Sequence, residues 1–381
     1  MKALFVTTVN ALGAEGSAKG GVQVCTAEYL TVLCAAGFEI STITFTPDQR
    51  LQTRVKRRLC PMPYQGLIPP SLAVRVVDEI KRTGAQVVFL NLVDLAPLAG
   101  EVRQLNGTNF KIILLSHGLH SADILHNLRI ESSRLGCANT RRRDLLWLSR
   151  HLAVESIQRQ FIDHVFCLSE FEVGLERWIG SRSVSWLPRI VEIKPLAWQP
   201  NVGRFGFVGT LNHPPNAEGL NLFLKALVLH DVSARVRVVG GPIEAAQELS
   251  IKYPVVDYLG QLDDQQLARE AATWTCAVHP LFCYARGCST KLATYLAWQI
   301  PVVTTPQGSR GYSWKEGNIP QANDPNGLVK LALSMNKPEV VAAARMDLAK
   351  VAATSPTLHD VAQMVALSLA DIIDGLKRNR A

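Results

Sequence analysis

Short apolar runs alternate with stretches of helical period along this chain, and the alternation falls into two series. The first opens at Lys2–Thr8, an apolar run that predicts a buried strand. The loop NALGAEGSAKGG leads into a helix from about Val22 to Ala36, ended by Gly37, and Phe38–Phe45 reads as the next strand. Ser71–Arg82 has helical spacing, whereas Gln86–Leu92 and Lys111–Leu115 read as buried strands. Arg129–Arg159 reads as helical throughout. His164–Ser169 is a further strand, and Ser169 and Glu172 are placed to form a capping box for the helix that follows. Ser183–Leu187 closes the series. Pro188, Pro195 and Pro200 lie in a stretch without period, the expected linker.

The second series begins at Arg204. Strands are expected at Phe205–Val208, Arg235–Val239, Val255–Leu259 and Cys276–His279, and helices at Ala217–Leu227, Asp264–Thr273, Pro325–Met335 and Asp360–Lys377. Between them lies Tyr284–Thr305, YARGCSTKLATYLAWQIPVVTT, which reads as a glycine-bearing loop, a helix and a buried strand. The whole pattern predicts an α/β protein: two Rossmann-like, doubly wound parallel-sheet halves facing each other across a cleft.

In Tyr284–Thr305, Gly287 frees the backbone for a close approach, and Cys288, Ser289 and Thr290 suit a helix start. A helix N-terminus attracts phosphate, and Arg286 and Lys291 flank it here, so the stretch is a candidate site for the pyrophosphate of a nucleotide-sugar. An ordinary loop–helix–strand with both cations in solvent has the same pattern. His117 follows the strand Lys111–Leu115 directly, where open α/β sheets place their ligands, although a satisfied structural histidine fits the same position. Gly20 and Gly21 either admit a ligand to the backbone or simply end their loop. Neither G-x-G-x-x-G nor the Walker lysine pattern occurs.

Composition narrows the field. A chain of 381 residues with 48% hydrophobic and 19% charged residues is globular, with length for two cores. The net charge of +8 points to an anionic partner: a nucleotide, a phospholipid surface or a nucleic acid. Nucleic-acid binding has no motif here. The eight cysteines include no C-x-x-C and no cluster at zinc spacing, so they read as reduced thiols of a cytoplasmic protein, with no metal site. Thr7, Thr8 and Asn10 break the first apolar run, which makes it a strand rather than a signal peptide, and no stretch is long and apolar enough to span a bilayer. Basic residues gather at Arg54, Lys56, Arg57 and Arg58 and at Arg141, Arg142 and Arg143. They suit either a solvated face or an acceptor-side surface that meets an anionic membrane.

Four stretches of the second series carry a resemblance: Phe207–Leu224 (FVGTLNHPPNAEGLNLFL), Asp257–Leu267 (DYLGQLDDQQL), Val278–Leu281 (VHPL) and Gly287–Thr305 (GCSTKLATYLAWQIPVVTT). In order and rough spacing they resemble the carboxyl-terminal half of GT-B glycosyltransferases of the group 1, family-4-like type. Gly20–Val22 and Cys167–Glu172 add a looser likeness in the first half. The resemblance implies residues 1–196 as the acceptor-side domain, 201–355 as the donor-binding domain, and 356–381 as a helix crossing back to the first domain. It also implies transfer of a sugar from a nucleotide-sugar donor, with retention, usually without a metal and without a cofactor, to a glycan, lipid-linked or small-molecule acceptor. A protein of this kind would be cytoplasmic, with peripheral attachment to the inner face of the membrane as a further expectation.

Residue by residue, the resemblance assigns Gly20 and Gly21 to the loop approaching the donor phosphates and His117 to the sugar pocket. Gly209 falls on the first donor loop, Leu262 on the position whose backbone meets the base, Ser289 and Thr290 on the phosphate-facing helix start, and Lys291 on the family lysine. Two family glutamates are replaced, by Arg286 before the loop and Thr294 on the helix. The Arg/Lys pair after Gly209 is also missing, which leaves Arg286, Lys291, Arg310 and Arg189 as the cations for a leaving diphosphate. A catalytically silent GT-B binding subunit and a nucleotide-sugar epimerase are the alternatives.

Overall fold

The computed structural model describes residues 1–13, 20–48, 51–52, 55, 63–64, 68–107, 109–135, 142–283 and 286–378. Of the basic run near residue 56, Arg54, Lys56, Arg57 and Arg58 lie outside these residues, as does Arg141. The chain divides into two compact units, Met1–Pro188 with Leu358–Ala381, and Arg189–Thr357.

In the first unit β1 (Lys2–Thr8) is buried at Ala3–Thr7, as its apolar run requires. It pairs in parallel with β2 (Glu39–Phe45) on one side and β3 (Val87–Asn91) on the other. The sheet continues through β4 (Lys111–Leu115), β5 (His164–Cys167) and β6 (Val184–Trp186), in the order β2-β1-β3-β4-β5-β6 and parallel throughout. Leu4, Val6, Val88, Leu90, Ile112 and Leu114 share one core with Leu72, Val76 and Ile80 of α2 (Leu72–Thr83) and Leu98 and Val102 of α3 (Ala96–Asn106). α1 (Gly21–Ala35) follows β1, and the last helix, α13 (Leu358–Arg378), packs against it within this unit. Of the stretch expected as helical the structure describes α4 (His120–Leu135) and α5 (Arg142–Arg159), residues 136–141 lying outside the described ones, and the helical region starts nine residues earlier than expected. α6 (Glu170–Trp178) is capped by Ser169, whose Oγ accepts from Glu172 N.

The second unit holds five parallel strands, β7 (Asn201–Val208), β8 (Arg235–Val239), β9 (Val256–Gly260), β10 (Trp274–His279) and β11 (Val302–Thr304), ordered β11-β10-β7-β8-β9. One core joins Phe205, Phe207, Val236, Val238, Cys276 and Val278 to α7 (Pro214–His230) through Leu220, Phe223 and Leu227. A second gathers Trp274, Ala277 and Val302 with Leu292, Tyr295 and Leu296 of α10 (Lys291–Trp298) and Leu348 and Val351 of α12 (Pro338–Thr354). Side chains alternating along the strands thus feed both. Gly206 makes room for the Trp274 indole: a Cβ there would lie 1.9 Å from a ring carbon. This unit also holds α8 (Ile243–Lys252), α9 (Asp264–Ala271), α11 (Pro325–Ser334) and a four-residue helix at Pro306–Ser309. A complete capping box opens α9, between Asp263 and Gln266.

Four of the helix starts that differ from expectation have a proline at the first turn or N-cap. α7 begins at Pro214 rather than Ala217, and α3, α8 and α12, unanticipated, carry Pro97, Pro242 and Pro338. Proline breaks a helix interior, yet it fits a first turn, whose N–H groups have no intrahelical partner.

Candidate functional site

Every strand of each sheet points the same way, so each unit gathers its strand carboxyl ends, and the loops that follow them, along one rim. In the second unit that rim begins with three glycines. Gly209 N donates to Val239 O at 2.9 Å, and Gly240 N donates to Gly260 O at 2.9 Å. Gly240 has φ +135°, and a Cβ on it would lie 1.9 Å from Gly209 O, so the ends of β7 and β8 touch through bare backbone.

Lys291, the first residue of α10, lies on Gly209: a Cβ at Gly209 would be 3.1 Å from the ammonium. Its Nζ donates to Asn216 Oδ1 at 2.8 Å and sits 5.9 Å from the centre of the Phe207 ring. Asn216, in the first turn of α7, is held in turn by its Nδ2 on Thr210 O at 3.1 Å. Among the described residues no carboxylate pairs with Lys291, and burial draws its pKa down to about 8. The rim therefore brings a partly buried ammonium to the N-termini of α7 and α10, beside a glycine with no side chain to block an approach.

Ser289 and Thr290 precede α10. Thr290 is the N-cap but has helical φ and ψ and no capping hydrogen bond, unlike the hydroxyl cap its type suggested. Ser289 Oγ instead receives Lys291 N at 3.4 Å and lies 2.9 Å from His279 Nε2. The His279 Nδ1 contacts Thr304 Oγ1 at 3.0 Å. Burial, with Lys291 and Arg310 nearby, holds His279 at a pKa of about 3, so its ring is neutral. Tyr312 fixes the same turn: its hydroxyl donates to Ser289 O and receives Ala293 N.

Arg310 turns inward. Its guanidinium donates to the carbonyls of Gly287 at 2.7 Å, Cys283 at 3.1 Å and Arg286 at 3.5 Å, which clamps the loop ahead of α10. Gly287 has φ +71° there. Thr294 is half-buried on α10. Arg189 is buried, with its N–H on Gly311 O at 2.9 Å. Leu262 lines an open depression with Leu259, Gln266, Arg269 and Glu270. The structure thus assembles Gly209, Ser289, Thr290 and Lys291 around one point, makes Arg286, Gly287 and Arg310 parts of the loop beside it, and puts Leu262 in that depression.

In the first unit His117 is buried behind β4. Its Nε2 contacts Asn91 Oδ1 at 2.9 Å. Asn91 Nδ2 donates to Thr7 Oγ1 and Thr26 Oγ1, each at 2.9 Å. An amide whose N–H₂ group is so engaged presents its oxygen to the imidazole, so His117 Nε2 carries a proton. Gly20 is the extended N-cap of α1 and Gly21 its first residue, at the carboxyl end of β1. In the same unit His120 Nε2 lies on Asp94 Oδ1 at 2.9 Å, and a buried Glu155 receives Tyr64 Oη at 2.6 Å and the Ser121 hydroxyl.

Asn216, His279, Thr304, Tyr312 and Asn91 were not foreseen as parts of either rim. Asn216, His279 and Thr304 do lie in stretches with the family-like pattern, and the Pro214-Pro215 pair marks a helix start two residues before Asn216.

Comparison with known proteins bears on what this arrangement is. Residues 203–336 match the family model described as Glycosyl transferases group 1. No curated protein matches the sequence significantly. Among solved structures, the chain is similar to sucrose-phosphate synthase from Thermosynechococcus elongatus, with TM-score 0.71 and 16% identity over 98% of this chain and 99% of that one. It is also similar to Anabaena HepE in complex with UDP and glucose, with TM-score 0.62 and 14% identity over 97% and 99%. The lipopolysaccharide outer core galactosyltransferase WaaB, in its apo form, gives TM-score 0.62 and 13% identity over 96% and 99%. The chain has the GT-B fold, and its residues 203–336 are similar to the group 1 glycosyl transferases.

Proposed function

We propose that this glycosyltransferase takes a sugar from a nucleoside-diphosphate sugar held by the second unit and passes it to a hydroxylated acceptor bound by the first, with retention and without a metal. One observation carries the donor side: Lys291 presents a partly buried ammonium, without a carboxylate partner among the described residues, over Gly209 and at the start of α10. A buried charge without a counter-charge is unfavourable, and a diphosphate supplies the missing one. As the glycosidic bond breaks, charge grows on the leaving diphosphate. Lys291, the Ser289 hydroxyl and the helix N-terminus are fixed in advance to stabilise it. The similar HepE structure contains UDP and glucose, which supports this ligand class.

The test is a thermal-shift screen of UDP, GDP, ADP and their sugars, with and without chelator. A melting temperature raised by at least one nucleoside diphosphate, unchanged by chelator, is expected. No shift with any of them sinks the donor assignment, and a shift that chelator abolishes sinks metal independence. The replacement of the two family glutamates by Arg286 and Thr294 favours a second reading, a binding subunit without turnover. Binding of a nucleotide-sugar with neither transfer nor hydrolysis would select it.

Among the described residues no helix is long and apolar enough to cross a membrane. The acceptor side includes α5, where exposed Leu145 and Leu146 sit beside exposed Arg142 and Arg143. That combination supports peripheral contact with an anionic membrane carrying a lipid-linked acceptor.

A further inference from the structure

Beneath the proposed diphosphate position lies a chain of three side chains, Ser289, His279 and Thr304, each at the carboxyl end of a strand or in the loop after it. His279 is buried and contacts both hydroxyls, at 2.9 Å through Nε2 and 3.0 Å through Nδ1. Thr304 Oγ1 has a second option, donation to His279 O at 3.3 Å. A neutral imidazole carries one ring proton, so only two arrangements satisfy these contacts. In the first, Nδ1–H donates to Thr304, Thr304 donates to the His279 carbonyl, and Ser289 gives its hydroxyl proton to Nε2. In the second, Thr304 donates to Nδ1, Nε2–H donates to Ser289 Oγ, and the Ser289 proton is released outward. Both contain the same three protons. They differ in whether Ser289 presents a donor to the rim.

We propose that His279 is a positioning residue: in its Nε2–H form it occupies a Ser289 lone pair and turns the Ser289 hydroxyl proton towards an anionic phosphate oxygen above the start of α10. The geometry favours this form once an anion is present. Ser289 Oγ already receives the Lys291 N–H at 3.4 Å, so with His279 Nε2–H as a second donor its own proton has an outward course. Ser289 is half-buried, whereas His279 and Thr304 lie beneath it, out of solvent. Gly308 keeps the packing close: a Cβ there would lie 2.8 Å from His279 Nδ1 and 2.4 Å from Thr304 Oγ1. With no side chain at Gly308, Thr304 and His279 keep their contact. The proposal rests on the diphosphate reading of this site.

The experiment measures Kd for UDP, GDP and ADP by calorimetry, on the full chain. Ser289→Ala weakens the tightest of these about tenfold, the scale of one charge-assisted hydrogen bond. His279→Leu weakens it to a similar degree. The double variant is no weaker than Ser289→Ala alone, because His279 acts through Ser289. His279→Gln, whose amide N–H₂ reaches about as far as Nε2, keeps the affinity near wild type. Should His279→Leu fail to fold, ¹⁵N spectra of the wild-type imidazole decide the matter without substitution: the nucleotide-bound protein shows its ring proton on Nε2. Wild-type affinity in His279→Leu, additive losses in the double variant, or a ring proton on Nδ1 in the complex each overturn the positioning role while the diphosphate site stands. Failure of wild type to bind any of the three removes the diphosphate site itself, and this proposal with it.

Discussion

Each unit draws a cation out of water, and the two cations are partnered in opposite ways. In the first unit Arg159 has no exposed side-chain surface and lies against Glu176, with Nε on Oε2 at 2.6 Å and Nη2 on Oε1 at 2.8 Å. Burial alone disfavours its charge, but Glu176, and Glu155 beyond it, more than offset this and hold its pKa above the ordinary value. In the second unit Lys291 has, among the described residues, the neutral Asn216 amide and an aromatic face, and burial draws its pKa down to about 8. A cation with a bidentate carboxylate is neutralised inside the fold. One with a neutral partner leaves the local balance open, which is why the proposed function gives Lys291 an anion from outside. Burial of a positive charge therefore does not by itself mark a ligand site, and the identity of its partner separates the two cases.

The largest effect expected from breaking this contrast is on stability. Arg159→Met leaves the Glu176 carboxylate buried and without its counter-charge, which costs about 3–5 kcal/mol. Urea denaturation should show this loss, and Arg159→Met combined with Glu176→Leu should recover much of it. A single variant as stable as wild type would mean that the pair carries no such charge compensation.

Lys291→Met should do the reverse. It removes a partly buried charge that lacks a counter-charge among the described residues, so stability holds or rises, while nucleoside-diphosphate binding weakens by about 1.5–3 kcal/mol, more than tenfold. The pH dependence has a definite sign. The folded pKa of about 8 lies below the ordinary lysine value of about 10.4, so the unfolded chain binds more protons between them and stability rises with pH across that window. Diphosphate affinity moves the other way, falling as pH rises through about 8 and the ammonium is lost. Calorimetry at pH 7 and 9 should show this fall in wild type and not in Lys291→Met. Parallel pH profiles of the two proteins would dissociate Lys291 from the anion.

The first-unit rim supplies a third comparison. His117 sits in an amide–hydroxyl network with Asn91, Thr7 and Thr26. His117→Ala should lower turnover about tenfold or more yet leave nucleotide Kd unchanged, since the nucleotide is assigned to the other unit. It also leaves the Asn91 oxygen without the imidazole, at about 1–3 kcal/mol of stability. His117→Gln keeps a donor to Asn91 and should restore the melting temperature. Restoration of turnover as well would show that His117 acts only through the network.

The strands of both sheets were legible because a buried parallel strand is an apolar run, and little else in a chain looks like one. Helix starts were less so. Pro97, Pro214, Pro242 and Pro338 stand at helix starts that the sequence reading did not place, although proline suits a first turn. At the site, Gly209, Ser289 and Lys291 stood out through a family-like pattern. Their partners did not, because a partner is set by the fold: Asn216 is 75 positions from Lys291, and Thr304 is 25 from His279. Arg310 was expected to face a diphosphate, but the chain gives no sign that three loop carbonyls take up its guanidinium.

The smallest effect concerns cations that stay in water. At the start of α5, Arg142 and Arg143 are exposed, and Leu145 and Leu146, three and four positions on, keep about half of their surface in solvent (50% and 51%). Residues three and four apart share a helix face, so the arginines and leucines form one exposed stripe. Such a stripe suits the headgroup region of a bilayer, where the leucines enter the apolar boundary and each arginine contributes about 1 kcal/mol against anionic lipid. Salt screens that attraction. Sedimentation with vesicles of anionic lipid should pellet the wild type at low salt, less at high salt, and little with neutral vesicles. Arg142→Ser with Arg143→Ser should pellet less, by about tenfold in partition. A variant of Arg54, Lys56, Arg57 and Arg58 to serine measures the share of the other basic run. Lys291→Met, which alters a cation turned into the second unit, should pellet as wild type does. Equal pelleting of the wild type and both arginine variants would take these runs out of the acceptor side, and no pelleting of the wild type would leave a soluble acceptor as the substrate class.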